Sequence, residues 1–343
     1  MIALPGLCLA TGRFDDAKKI LEAFAASVSD GMLPNRFMDN GQPPEYNQVD
    51  GTLWFFVAVY KYLLASNDEA FVLNDMLPVI KDIYQWHVKG TRYNIHEDDD
   101  GLLIAGAAAV QLTWMDAKCD DWVVTPRIGK PVEVNALWYN ALCIYAELLK
   151  RNKNWQSARR IREKTELTIR SFNRKFWDKK NAWLYDVIDE QHKDDSFRPN
   201  QLFAISLPFT LLTNYRSRSI LKAAKEKLYT PVGLRSLSAS HYSYQAVYTG
   251  NRRTRDGAYH QGTVWSWLLG PYVDAIMRVK GRKGVKEARE VVEAFRFHLD
   301  EAGIGTVSEI FDAEPPHHPR GCIAQAWGVA ELLRVIKQYH LLK

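Results

Sequence analysis

The chain has 343 residues, 47% apolar and 25% charged, enough to bury a sizeable core and too apolar to stay disordered. Its 45 basic and 40 acidic residues are well mixed, so the net charge of +5 builds no one-sided field of the kind nucleic acid requires. No apolar run approaches the roughly 18 residues of a membrane span, and four scattered cysteines, with no C-x-x-C pair and no secretory signal, are expected as free thiols in the cytoplasm.

Along the chain, two kinds of helical pattern alternate. Ile2 to Thr11 reads as the tail of an apolar helix. Phe14 to Ser27, Asp68 to Lys89, Trp155 to Phe176, Arg216 to Tyr229 and Val285 to Leu299 each carry an apolar stripe beside a Lys/Arg/Glu face, which predicts outer amphipathic helices. The stretches that begin near Tyr46, Val132, Pro199, Gln261 and Gly321 are apolar all round, as in Leu53-Trp54-Phe55-Phe56-Val57-Ala58, which predicts buried inner helices. Loops with glycine signals separate them: Asp30-Gly31-Met32, Asp100-Gly101-Leu102, the stretch 177–186, Val232-Gly233-Leu234 and Ala302-Gly303-Ile304. Six inner and five outer helices in regular alternation predict a single all-α domain over residues 1–343, an (α/α)6 barrel without its first outer helix. Strand signals are nearly absent, and Trp183 to Ile188 is the one candidate for a small hairpin.

Aromatic residues are the compositional oddity at 12% of the chain, and many sit beside Gly, Asn, Asp or Gln rather than inside aliphatic runs. Flat rings with polar neighbours suit the C–H faces and hydroxyls of a pyranose, although core packing explains others among them. In a toroid of helix pairs, the loops that enter the inner helices gather at one end. Two carboxylates lie in such loops. Asp116 follows Leu112-Thr113-Trp114-Met115, where apolar company favours a protonated acid, and Glu309 lies in Gly303-Ile304-Gly305-Thr306-Val307-Ser308-Glu309-Ile310-Phe311-Asp312. Cleaving an acetal needs one acid for the leaving oxygen and a second carboxylate to activate water, roughly 6.5 to 9.5 Å away in an inverting enzyme. The expected assignment is Asp116 as acid and Glu309 as base, against the plainer roles of a turn cap and a surface glutamate. Asp50 and Glu133 stand at inner-helix starts, as sugar contacts or as caps. Arg127, His260, Gln261, Arg320 and Gln325 offer polar groups for hydroxyls.

Glu97 to Asp100 reads as a solvated turn, and His317-His318 lacks the partners of a zinc spacing. No phosphate loop, dinucleotide fingerprint or serine elbow is present, so neither metal nor cofactor is expected. The acidic run enters Gly101 instead of lying on a helix, which argues against a terpene-cyclase-like toroid.

Several long motifs in one order carry a resemblance that covers nearly the whole chain. They are Ile2-Ala3-Leu4-Pro5-Gly6-Leu7, Tyr46-Asn47-Gln48-Val49-Asp50-Gly51-Thr52-Leu53-Trp54-Phe55, Leu112-Thr113-Trp114-Met115-Asp116-Ala117, Thr125-Pro126-Arg127-Ile128-Gly129-Lys130-Pro131-Val132-Glu133, Tyr259-His260-Gln261-Gly262-Thr263-Val264-Trp265, and Ser308-Glu309-Ile310-Phe311-Asp312 with Pro319-Arg320-Gly321-Cys322. Together they resemble the C-terminal glucosidase module of glycogen debranching enzymes, the amylo-α-1,6-glucosidase family related to glucoamylases. The resemblance implies an (α/α)6 barrel and inverting hydrolysis of α-1,6-linked glucose on glycogen, limit dextrin or a branched maltooligosaccharide. It places the acid on Asp116 and the base on Glu309. It also favours sugar contacts for Asp50, Trp54, Arg127, Glu133, His260 and Arg320, with Trp114, Gln261 and Trp265 beside them. Family members carry an N-terminal β-rich domain and an Arg-Asp loop that this sequence does not contain. The expectation is therefore a fragment, a shortened start or a stand-alone relative, with an oligomer or partner chain over the inner helices left bare. A non-catalytic glucan-binding or scaffold protein, and a hydrolase of another α-glucoside, are the alternatives.

Overall fold

The computed structural model describes residues 1–38 and 41–342, and 52% of the chain is helical, with few and short strands. After an opening helical segment, Pro5–Leu9, the principal helices are α1 (Phe14–Ala26), α2 (Asp50–Ser66), α3 (Leu77–Lys89), α4 (Val132–Arg151) and α5 (Trp155–Lys175). They continue as α6 (Phe203–Ser206), α7 (Asn214–Lys227), α8 (Leu269–Lys280), α9 (Val285–Glu293) and α10 (Ala326–Tyr339).

Burial separates them into the two kinds that the patterns distinguish. In α2, Phe55, Phe56, Val57, Ala58 and Val59 are buried in succession. Five consecutive positions span more than a full turn, so this helix is covered on all sides. In α5 the buried residues are Ala158, Ile161, Thr168, Ser171 and Phe172, a single stripe. Each Leu or Phe taken fully out of water contributes about 1.5–3 kcal/mol, so this packing outweighs the differences in helix propensity. The opening segment packs on α2, α2 on α4, α4 on α6, α6 on α8 and α8 on α10, and α10 returns to the opening segment. From outside, α1 packs on α2, α3 and α5 on α4, and α7 and α9 on α8. Arg334 of α10 lies buried between Asp274 of α8 and Glu331, at 2.7 and 2.6 Å, and ties two of these helices together.

Strand content departs from expectation. An antiparallel five-stranded sheet runs in chain order through β1 (Tyr229–Thr230), β2 (Gly233–Arg235), β3 (Val264–Trp265), β4 (Ile310–Phe311) and β5 (Pro319–Arg320). Trp265 pairs with Ile310, and Ile310 with Arg320. Ladders of two or three residues are too short for an alternating pattern to register, which is why the sequence hides them. Gly233 stands at φ +147°, and a Cβ there would sit 2.4 Å from the Trp265 carbonyl oxygen, so the close approach of β2 to β3 needs glycine. The expected hairpin over Trp183 to Ile188 does not form. Trp183–Leu184 pairs with Trp177–Asp178, whereas Val187–Ile188 pairs with Lys130–Pro131 and with Lys193–Asp194. Helix α8 starts later than Gln261 because β3 and the turn Ser266–Leu268 occupy the intervening residues, and α10 starts at Ala326 rather than near Gly321.

Among the described residues, no helix is long and apolar enough to cross a membrane. The four cysteines are free.

Candidate active site

A cavity of about 530 Å³ opens at the N-terminal ends of α2 and α10, lined by Asp50, Trp54, Trp114, Asp116, Tyr259, Trp265, Glu309 and Gln325, among others. Both carboxylates singled out in the sequence, Asp116 and Glu309, border it.

On one wall the Leu112–Asp116 loop is pinned to the start of α2. The Val49 N–H donates to the Leu112 carbonyl at 2.8 Å, and the Trp114 N–H donates to Asp50 Oδ2 at 2.6 Å. The Trp114 indole donates through Nε1 to Asn200 Oδ1 at 2.8 Å and meets His260, Trp265 and Trp267 edge-on, with ring centroids 5.2–5.4 Å apart. Trp114 and Met115 lie beneath the surface, and the Asp116 side chain stays 61% exposed. The apolar enclosure expected around Asp116 is therefore absent, because its two apolar neighbours turn into the core. Its Oδ1 lies 3.5 Å from Nε2 of the fully buried His260.

Glu309 also lines the cavity, one residue before β4. Its backbone N–H donates to the Cys322 carbonyl at 2.9 Å, which fixes it on the sheet. The carboxylate accepts three hydrogen bonds: from Tyr259 Oη at 2.5 Å and Gln325 Nε2 at 3.3 Å on Oε1, and from the Cys322 N–H at 3.0 Å on Oε2. Three donors converging on one carboxylate suit its ionised, acceptor-only form. Gly321 lies at φ +67°, where a Cβ would sit 2.3 Å from Glu309 Oε2, so the carboxylate fits against bare backbone.

Asp50 is 6% exposed at the cavity floor. Burial pushes its carboxyl up to about 7, against the downward pull of the Trp114 and Gly51 N–H donors and with the Glu133 and Asp116 charges adding to the rise. Trp54, one turn further along α2, presents a half-buried indole to the cavity.

Other candidates from the sequence take supporting positions. Arg127 and Glu133 do not line the cavity: both are buried, and Arg127 Nε donates to Glu133 Oε1 at 2.7 Å while its two NH groups grip Glu133 Oε2 and Asp186 Oδ2. With their polar atoms committed to each other, they leave nothing for a sugar hydroxyl. Arg320 likewise gives Nε and Nη2 to Asp312 Oδ2, at 3.1 and 2.8 Å. Gln261 accepts from Arg198 at 2.7 Å, and His260 lies wholly under the surface.

Tyr259, Asp186, Asn200 and Arg198 were not singled out by sequence. Asn200 donates to Asp186 Oδ1 at 2.9 Å, and Arg198 donates to the His260 carbonyl at 2.6 Å and lies 3.6 Å from Asp186. A continuous polar network thus runs beneath the site from the Trp114 loop to the His260 turn. Tyr259 had one signal, its place beside His260 in a motif rich in aromatics. Asp186 and Asn200 had none, because their role arises only when distant segments meet. Among the described residues no three His, Cys, Asp or Glu side chains gather as metal ligands.

Comparison with known proteins finds similarity to a debranching enzyme, to a rhamnosidase and to one family profile. It is 26% identical to the glycogen debranching enzyme of Saccharomyces cerevisiae over 362 aligned positions, which cover 80% of this chain and 24% of the yeast protein's length. The fold matches a rhamnosidase from Klebsiella oxytoca, solved with rhamnose bound, with a TM-score of 0.68 at 15% identity, over 99% of this chain and 58% of the rhamnosidase chain. The profile of the amylo-alpha-1,6-glucosidase family matches residues 1–334, and the chain belongs to that family.

Proposed function

We propose that this chain is a single catalytic domain, an (α/α)6 barrel, that removes α-1,6-linked glucose from glycogen, limit dextrin or a related branched maltooligosaccharide with inversion at the anomeric carbon. The observation that carries the reading is that Asp116 and Glu309, from loops far apart in sequence, border one aromatic-lined cavity. The family match and the debranching relative support the substrate class, and a pocket within the usual 300–1,000 Å³ range suits a terminal sugar. The mixed surface charge and free thiols agree with a cytoplasmic setting beside an uncharged polymer.

In this mechanism Asp116 gives its proton to the glycosidic oxygen, which leaves with the electron pair of the C1–O bond. Glu309 takes a proton from water as the water oxygen bonds to the opposite face of C1. Asp50, Trp54, Trp114 and Trp265 shape the wall that receives the sugar ring, with aromatic faces for its C–H surface and the Asp50 carboxyl for a hydroxyl.

Asp116→Asn and Glu309→Gln are expected to lower glucose release at least about 10³-fold each while leaving the circular dichroism spectrum and melting temperature nearly unchanged. Release within tenfold of the parent by either variant rejects the pair.

A further inference from the structure

The consecutive residues Tyr259 and His260 reach both carboxylates from a single turn. The Tyr259 hydroxyl donates to Glu309 Oε1 at 2.5 Å, and His260 Nε2 faces Asp116 Oδ1 at 3.5 Å. Their backbone is fixed from three sides. The Tyr259 carbonyl accepts from Trp265 Nε1 at 2.9 Å and from the Thr263 hydroxyl, the His260 carbonyl accepts from Arg198 at 2.6 Å, and Gly262 packs so tightly on the Gln245 carbonyl that a Cβ would fall 2.2 Å from its oxygen. The imidazole lies parallel to Trp265, 4.9 Å between ring centroids and 10° between planes, with Trp114 edge-on to it. Such a ring cannot turn freely.

Neither nitrogen of His260 forms a hydrogen bond with a described residue, although the side chain is fully buried. A buried donor without a partner costs about 1–3 kcal/mol, so its retention calls for an explanation. Burial holds this imidazole below its ordinary value, with Asp116 and Glu309 pulling it up and Arg198 pushing it down. A neutral ring carries one proton, and Asp116 is the acceptor that stands opposite Nε2. At 3.5 Å the contact is longer than a formed hydrogen bond, and catalytic hydrogen bonds commonly tighten when substrate binds.

Resting on the assignment of Asp116 and Glu309 above, we infer that the Tyr259-His260 turn is a positioning device for both carboxylates: Tyr259 holds Glu309 as a base, and the Nε2–H of His260 stabilises the Asp116 carboxylate left after proton transfer. Charged and titratable neighbours are few. Tyr259 faces Glu309, Asp116 and Tyr248, and His260 faces Asp116, Arg198 and Glu309.

The two halves give separate signatures. A donor to a carboxylate favours its ionised form, so loss of the donor makes the group harder to deprotonate. Tyr259→Phe is expected to move the acidic limb of kcat/KM upward by about half to one pH unit, leave the alkaline limb in place and lower kcat roughly 10- to 100-fold. His260→Leu is expected to move the alkaline limb upward and leave the acidic limb, and His260→Gln, which keeps an N–H near Nε2, is expected to restore that limb. Tyr259→Phe removes one oxygen from a cavity wall and serves by itself if His260→Leu does not fold. A purely structural turn would change melting temperature and amplitude with both limbs fixed, and that result overturns the inference. If Asp116→Asn or Glu309→Gln keeps full activity, the underlying assignment fails. If those two are inactive and the limbs of Tyr259→Phe and His260→Leu stay fixed, this inference alone fails.

Discussion

Asp50 shows how one residue serves both stability and the site. Its carboxylate closes the first turn of α2 onto the Trp114 loop and floors the cavity, and desolvation raises its carboxyl to about 7. The folded state therefore holds the proton more tightly than the unfolded chain, where an aspartate titrates near 4. A group raised in this way adds stability in full below the unfolded value, and that stability is lost as pH rises from about 4 through 7. The stability of the parent relative to Asp50→Asn should fall by on the order of 2–4 kcal/mol between pH 4 and pH 8. Urea unfolding at both ends of that window measures it, and a difference that does not change with pH would mean that Asp50 is ionised throughout.

At the scale of elements, the loops at the cavity rest on the buried pairs of Arg127 with Glu133 and Asp186, and of Asp186 with Arg198 and Asn200. Arg127→Met removes the cation and leaves two carboxylates buried without their main partner, which should cost roughly 3–5 kcal/mol by thermal or denaturant unfolding. A loss below 1 kcal/mol would show that the carboxylates relax or take up protons without consequence. The same elements mark what was legible in the sequence. Helices announce themselves through 3.6-residue periodicity over many residues, so α1, α2, α4 and α5 fall close to their expected spans, and the stretch Asp68 to Lys89 is helical in three successive segments that end with α3. The sheet escaped because each strand has two or three residues, and its ladder is held by contacts across separations as long as that between Trp265 and Ile310. The site was half legible for a related reason. Asp116 and Glu309, chosen from local context, both border the cavity, whereas Arg127 and Glu133 carry the same loop signals and are drawn inward by Asp186, a partner contributed from another loop. Sequence shows that a charge stands at a helix start; it does not show which buried group will claim it.

Across the whole molecule, the inner helices bring residues of the Leu112–Asp116 loop and Glu309 to the lining of one cavity, a juxtaposition that no single segment encodes. The chain spans about a quarter of the yeast debranching enzyme that it matches, so the fitting substrate for testing it is a short α-1,6-branched maltooligosaccharide rather than whole glycogen. In the proposed mechanism, inverting cleavage by a water activated by Glu309 would fix the configuration of the first product. Proton nuclear magnetic resonance of the anomeric region during the first minutes of hydrolysis reads that configuration before mutarotation blurs it. The paired-carboxylate account predicts β-glucose as the initial product, and α-glucose as the initial product would contradict it.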